Sequence, residues 1–274
     1  MTTTPDFTAD GYPSDTMLAT RDRYFAPSSL MPFADDMARR LSRISMGPLL
    51  EICADTGVLT QALASALSAG LTIVATDPNP AAIGHASIKP GMARVVWQVA
   101  DPYALPFADA AFGIVTCHFA SAALPNRIQV FREARRVMKA RGRFMFSVPG
   151  HIRHNPVADC MQRAMDDLFP ADPPCFVSHV LHGHSDNDAI DDDLTVAGFT
   201  DAVYSTVDLP FGATSARHVA AGYCLGTRLR AEIDARAPGG VEQVIQSAVA
   251  ALETRFGTGP IEATMRAHIV SASG

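Results

Sequence analysis

The chain predicts an α/β protein built on a doubly wound, mostly parallel sheet, on two observations. Short apolar runs of strand length, several closed by an acid, alternate with stretches whose apolar residues recur every three or four positions. Runs apolar throughout are strands buried on both faces, which need helices above and below them. Right-handed crossovers then wind such a sheet doubly and place ligands at the carboxyl ends of its strands.

The elements follow in order. Residues 1–20 are polar and read as a flexible N-terminus. From Arg21 to Ile44 the residues Leu30, Met31, Phe33, Met37, Leu41 and Ile44 line one helical face, with Pro27 and two serines ahead of it. Residues 48–53 (PLLEIC) form the first strand, and a turn leads into a helix over 58–68. Further strands are read over 71–76, 94–100, 112–117 and 143–148, with a helix over 127–138 before the last of these. The segment 149–186 is rich in Pro, His and Asp, and carries one helical stretch over 157–168. A helix ending near Gly198 precedes a sixth strand over 202–209; helices fill 215–256, and 262–271 is a seventh strand.

Composition narrows the class. With 48% hydrophobic residues in 274, the chain can bury a substantial core. A net charge of −6 with interspersed signs gives no basic stripe for nucleic acid. The first residues lack a basic and apolar leader, no run nears the roughly 20 residues of a membrane span, and the five cysteines form no C-x-x-C pair. The expectation is a cytoplasmic protein with reduced thiols, with a homodimer compatible with it.

The chemical signal is a set of spacings. Glu51 closes the first strand, and residues 53–57 (CADTG) turn into a helix. Asp77 closes the second strand 20 positions after Gly57, and Asp101 closes the third. A turn that exposes backbone N–H groups, followed about 20 residues later by an acid, suits a nucleoside whose ribose hydroxyls need an acceptor. Taken singly, Asp77 and Asp101, each before a proline, are also ordinary turn or cap acids.

On these residues the chain resembles the class I S-adenosylmethionine-dependent methyltransferases, of the ubiquinone/menaquinone C-methyltransferase-like (methyltransferase type 11) subgroup, with a degenerate first motif. The resemblance rests on 50–63 (LEICADTGVLTQAL), on 100–107 (ADPYALPF) with 111–117, on 133–139 (EARRVMK), and on the terminal RFGTGPIEATMRAHIVSA. It implies a Rossmann-like, seven-stranded sheet with an antiparallel last strand and a lid of added helices. It implies one methyltransferase-like domain over 21–274, with a cofactor core about 46–148 and acceptor or lid elements about 21–45, 149–186 and 210–257. It also implies roles. Glu51 steadies the cofactor loop; Cys53, Ala54, Asp55 and Gly57 pass the methionine part; Asp77, with Pro78 beside it, accepts from the ribose hydroxyls. Asp101, Pro102 and Tyr103 meet the adenine, and Cys117 and His118 stand beside the reacting methyl group.

The implied activity is methyl transfer from S-adenosylmethionine, with S-adenosylhomocysteine as product, to a small, partly apolar acceptor. The transferase needs no nucleophilic triad, because the sulfonium is already reactive and the protein aligns the partners and excludes water. His118 and His151, both after strand ends, are the acid/base candidates, with Tyr24 behind them. Apolar residues such as Phe25, Met31, Phe169, Phe176, Val177 and Leu181 are expected to shape the acceptor pocket. Asp55 stands where the family has glycine. Its carboxylate near the cofactor's own would cost about 4 kcal/mol at 4 Å and an effective dielectric of about 20. The alternative reading is therefore a methyltransferase-fold protein that binds a ligand, assists another enzyme or runs non-methylating chemistry. Gly113 and residues 140–141 are smaller departures. Cys117 also reads as a packed small hydrophobe. The histidines at 179, 182 and 184 read as a surface loop rather than a metal site, so no metal is expected.

Overall fold

The computed structural model describes residues 13–44 and 46–274, so most of the segment read as a flexible N-terminus lies outside the described residues. In chain order the helices are α1 (Asp15–Thr20), α2 (Ala26–Ser29), α3 (Met31–Leu41), α4 (Val58–Ala66), α5 (Pro80–Ser87), α6 (Arg127–Val137), α7 (Pro156–Leu168), α8 (Asn187–Ala197), α9 (Ala216–Gly226), α10 (Leu229–Arg236) and α11 (Val241–Phe256). The strands are β1 (Leu49–Ile52), β2 (Ile73–Asp77), β3 (Val95–Val99), β4 (Phe112–His118), β5 (Met138–Pro149), β6 (Asp201–Ala213) and β7 (Ile261–Ser273). The chain divides into two compact units, each assembled from separated segments.

The sheet unit comprises Phe33–Val148, His184–Val207 and Ala267–Gly274. The strand order is β3-β2-β1-β4-β5-β7-β6. β1 to β5 pair in parallel, and β7 runs antiparallel to both β5 and β6, the arrangement expected from the sequence. β1 and β2 are buried at every position, as continuous apolar runs require. Helix α6 shows how the covering layer forms. Asn126 caps it by accepting from Gln129 N–H, and Val130, Phe131, Ala134 and Val137 fall on one face at helical spacing. That face meets Phe144 and Phe146 of β5, with ring centroids of Phe131 at 5.5 and 5.0 Å from theirs. Helix α8 adds Ile190 and Leu194 and ends on Gly198 in the left-handed conformation. Its Asp193 accepts from Arg127 of α6, tying the two helices together.

The helical unit comprises the residues up to Pro32, Pro149–Gly183 and Asp208–Arg266. Its helices α7, α9 and α11 bury Met161, Met165, Val219, Cys224, Ile245 and Leu252. Two sequence expectations change here. The helix read from Arg21 begins earlier: Ser14 caps α1 by accepting from Met17 N–H, and Met17 and Leu18 are fully buried. The polar start of the chain hid this turn, because its two apolar anchors are too few to set a period. The histidine stretch is not a surface loop either. Residues Phe176–Leu181 form a π-helical turn, and His182 and His184 are only 3% and 4% exposed. Phe176 and Val177 carry the segment inward, which a composition of Pro, His and Asp concealed.

Candidate cofactor and active site

The ends of β1 and β2 and the loop 53–57 build the centre of the site. Cys53, Asp55 and Gly57 all have positive φ, at 57°, 49° and 76°. Every second residue of the loop is therefore left-handed, so the chain folds back on itself in a tight curl. For non-glycine residues this conformation costs roughly 1–2 kcal/mol each. Asp55 occupies it, so its departure from glycine leaves the backbone path of the loop intact. At Gly57 a side chain is excluded on two counts: φ is left-handed, and an added Cβ would lie 3.0 Å from Ala86 and 3.1 Å from the Trp97 ring.

Acids clamp the loop on both sides. Glu51 lies below it, 1% exposed, and its Oε2 accepts from Thr60 Oγ1 of α4 at 2.6 Å. Burial, more than any neighbour, raises the Glu51 carboxyl from the ordinary 4.5 to about 8. Asp77 closes β2. Its Oδ2 accepts the backbone N–H of Asp55 at 2.8 Å, and its Oδ1 accepts that of Asn79 at 2.9 Å. Ala54 N–H donates to Thr76 O, completing the stitch between the loop and β2. The hydroxyl of Thr56 and the indole N–H of Trp97 are buried with no partner among the described residues. Such groups are uncommon in a finished interior and mark a place where a ligand or water completes the bonding.

Asp101 follows β3 next to the end of β2, where Ala100 N–H donates to Asp77 O at 3.1 Å. Glu51 and Asp77 flank one loop. Asp101 is exposed and turns Oδ1 back to the N–H of its own Tyr103, with Pro102 buried and Pro78 and Tyr103 half-buried. Cys53 is half-buried and Cys117 buried, and burial pushes the pKa values of both thiols upward, Cys117 to about 12, so both are packed and protonated rather than nucleophilic. His118 ends β4. Its Nδ1 lies 2.7 Å from Ser147 Oγ, and its ring stacks on Phe119 with centroids 4.5 Å apart. In the helical unit, His151 is exposed and its Nδ1 accepts from Arg153 N–H, capping a short helical turn. Tyr24 meets His218 edge-on at 4.9 Å. Gly113 leaves no room for the family's aspartate, since an added Cβ would lie 2.9 Å from the Met46 carbonyl carbon.

One device escaped the sequence reading. Arg136 of α6 donates to the carbonyls of Leu105 and Phe107 at 2.9 and 2.7 Å, and pairs with Glu133 and Asp109. Glu133 in turn accepts the N–H of Leu105 at 2.7 Å, and its pairing with Arg136 holds its carboxyl below the ordinary value. The pair pins the segment after β3 that begins at Asp101. The only trace of it in the sequence is an acid and an arginine three residues apart on the buried side of an amphipathic helix.

A parallel sheet with an antiparallel β7, a curled loop after β1 and an acid ending β2 together define a methyltransferase-type α/β fold of class I. Residues 50–146 match the family model described as a methyltransferase domain. The ubiquinone/menaquinone biosynthesis C-methyltransferase of Geotalea uraniireducens (strain Rf4) is 33% identical over 110 residues, which cover 38% of this chain and 47% of that protein. The chain thus spans about half the length of the curated relative it matches. Among solved structures, the YcgJ protein of Bacillus subtilis superimposes with a TM-score of 0.56 at 17% identity, over 88% of this chain and 98% of that one. Phosphoethanolamine N-methyltransferase 2 of Haemonchus contortus, solved with phosphomonomethylethanolamine and S-adenosylhomocysteine, gives 0.57 at 14% identity over 94% of this chain and 57% of that one. At these identities the structural likeness shows the fold. Among the described residues no helix is long and apolar enough to cross a membrane, and no cluster of three or more His, Cys, Asp or Glu stands ready for a metal.

Proposed function

We infer that this protein transfers a methyl group from S-adenosylmethionine to a small, partly apolar acceptor. The observation that carries the reading is the loop 53–57, left-handed at alternate residues and fastened to Asp77. The cofactor's adenosyl part requires what these residues offer: backbone that a ligand can approach closely, an acid at the tip of β2 for the ribose hydroxyls, and buried polar atoms still lacking partners. When bound, the cofactor supplies a methyl group already activated on a sulfonium.

The chain's own residues do the rest. Residues 53–57 hold the methionine part. Asp77 accepts from the ribose, and Asp101, Pro102 and Tyr103 flank the adenine. Glu51, bonded to Thr60, holds the loop from beneath. His118, positioned by Ser147, takes a proton from the acceptor, with His151 as the second candidate for that role. Cys117 packs in the core behind His118.

Calorimetric titration with S-adenosylmethionine and S-adenosylhomocysteine tests the reading. Both bind saturably to the natural protein. Asp55→Gly tightens binding of each by tenfold or more, the share of the roughly 4 kcal/mol like-charge repulsion that solvent leaves unscreened. No heat or thermal shift from either compound in both proteins refutes it.

A further inference from the structure

The helical unit contains a small cavity walled by Val157, Ala158, Phe211 and Met265, and two groups in its lining have unused hydrogen-bonding capacity. The first is His182. Its Nδ1 lies 2.7 Å from the carbonyl oxygen of Gly150, which fixes the proton on that nitrogen, and its Nε2 is buried with no partner among the described residues. The second is Tyr223, 3% exposed, whose ring packs edge-on against Phe25 at 5.1 Å and whose hydroxyl meets no hydrogen-bond partner among the described residues. Asn155, also in the lining, is already spent. Its amide donates to Gly150 O and His151 O, and its oxygen accepts from Arg266 N–H. Thr264 is exposed, so the cavity reaches the surface at that side.

The chemistry of the lining selects the occupant. No carboxylate, lysine or arginine lines the space, so a cation or an anion would lose its hydration without compensation. Burial lowers His182 to about 4, which keeps Nε2 an acceptor at neutral pH and repels an anion further. Tyr223 stays a neutral phenol for the same reason, with burial raising its pKa. The space admits one water-sized group. A lone acceptor beside a phenol that both donates and accepts matches a neutral hydroxyl, which does the same.

We propose that this cavity is a binding site for a neutral hydroxyl group, which donates to His182 Nε2 and accepts from the Tyr223 hydroxyl. This site is formed within the helical unit alone and does not depend on the methyl-transfer reading.

The test uses the full chain labelled with 15N, in which the His182 ring nitrogens are assigned by their loss in His182→Gln. Methanol, methylammonium and formate, similar in size and differing in charge, are titrated in turn without S-adenosylmethionine. The expected result is a saturable upfield shift of the His182 Nε2 resonance with methanol alone, at a Kd on the order of 10 mM or weaker for so small a probe. Tyr223→Phe, which keeps the ring and its packing, weakens that Kd about fivefold, as loss of one hydrogen bond does. No saturable shift at any methanol concentration the fold tolerates overturns the proposal, as does an equal response to methylammonium. A crystal structure from methanol-soaked crystals showing only an undisplaced water on His182 overturns it too. Failure of the methyl-transfer reading shows separately, as silence with S-adenosylmethionine in calorimetry.

Discussion

The backbone N–H of Asp55 donates to Asp77 Oδ2 at 2.8 Å, so a residue out of pattern in the loop is held in its left-handed conformation by the acid at the end of the neighbouring strand. The same carboxylate takes Asn79 N–H on its other oxygen. Asp77 therefore shapes the loop and also presents the acceptor for a ribose. Asp77→Asn keeps one acceptor and turns an amide toward a donor. The expected cost is about 1–3 kcal/mol in stability, with a tenfold or greater loss of S-adenosylmethionine affinity, read by urea denaturation and calorimetry. Unchanged affinity would remove Asp77 from the cofactor site.

Gly57→Ala meets two penalties. The left-handed φ costs roughly 1–2 kcal/mol, and crowding against Ala86 and Trp97 adds about 1–3 kcal/mol. The variant unfolds at markedly lower urea concentration. A midpoint equal to that of the natural protein would show that the curl relaxes freely.

Arg136→Leu removes the clamp on the segment after β3 while keeping an apolar stem against α6. Glu133, 8% exposed, is left without its partner. The expected result is a stability loss of about 1–3 kcal/mol, since Glu133 loses its partner while Arg136 is one-third exposed, and weaker S-adenosylmethionine binding through a loosened Asp101. Faster amide exchange over residues 101–109 is the direct readout. Unchanged protection there would deny the clamp its role.

Stability depends on pH with opposite signs on the two sides of neutrality. Glu51 is raised from 4.5 to about 8, so the folded form holds a proton that the unfolded chain releases above 4.5. Stability therefore falls as pH rises through about 8. His182 and His184 are lowered from 6.5 to about 4, mainly by burial, so stability falls as pH drops from 6.5 through about 4. Between 6.5 and 8 the Glu51 effect acts alone among these groups. Glu51→Gln should flatten urea midpoints over that window, and an unaltered slope would exclude burial of the acid.

Most of the sheet was legible because buried strands need unbroken apolar runs, and β1, β2 and β4 have them. β5 starts five residues before its apolar run, because exposed Lys139, Ala140 and Arg141 there carry no such signal. The acids were legible from spacing, since strand length and turn size fix their separation. What stayed hidden depends on tertiary packing. Nothing near Arg136 in sequence names the carbonyls it grips 29 and 31 residues away. His182 opens the polar run His182–Asp186 after Leu181, so its burial follows only from how the segment from Phe176 packs. Helix α5 was missed because Pro78 and Pro80 read as a turn, although Pro80 fills the first helical position after the Asn79 cap.

β7 contributes residues up to Arg266 to the helical unit and from Ala267 onward to the sheet unit. Ile261 and Met265 enter the first interior, Val270 and Ala272 the second. Neither core can close before residues 261–273 have been made, which delays both units to the same moment. A premature stop near residue 260 would thus cripple both together, and leave a chain suited to degradation rather than to partial service.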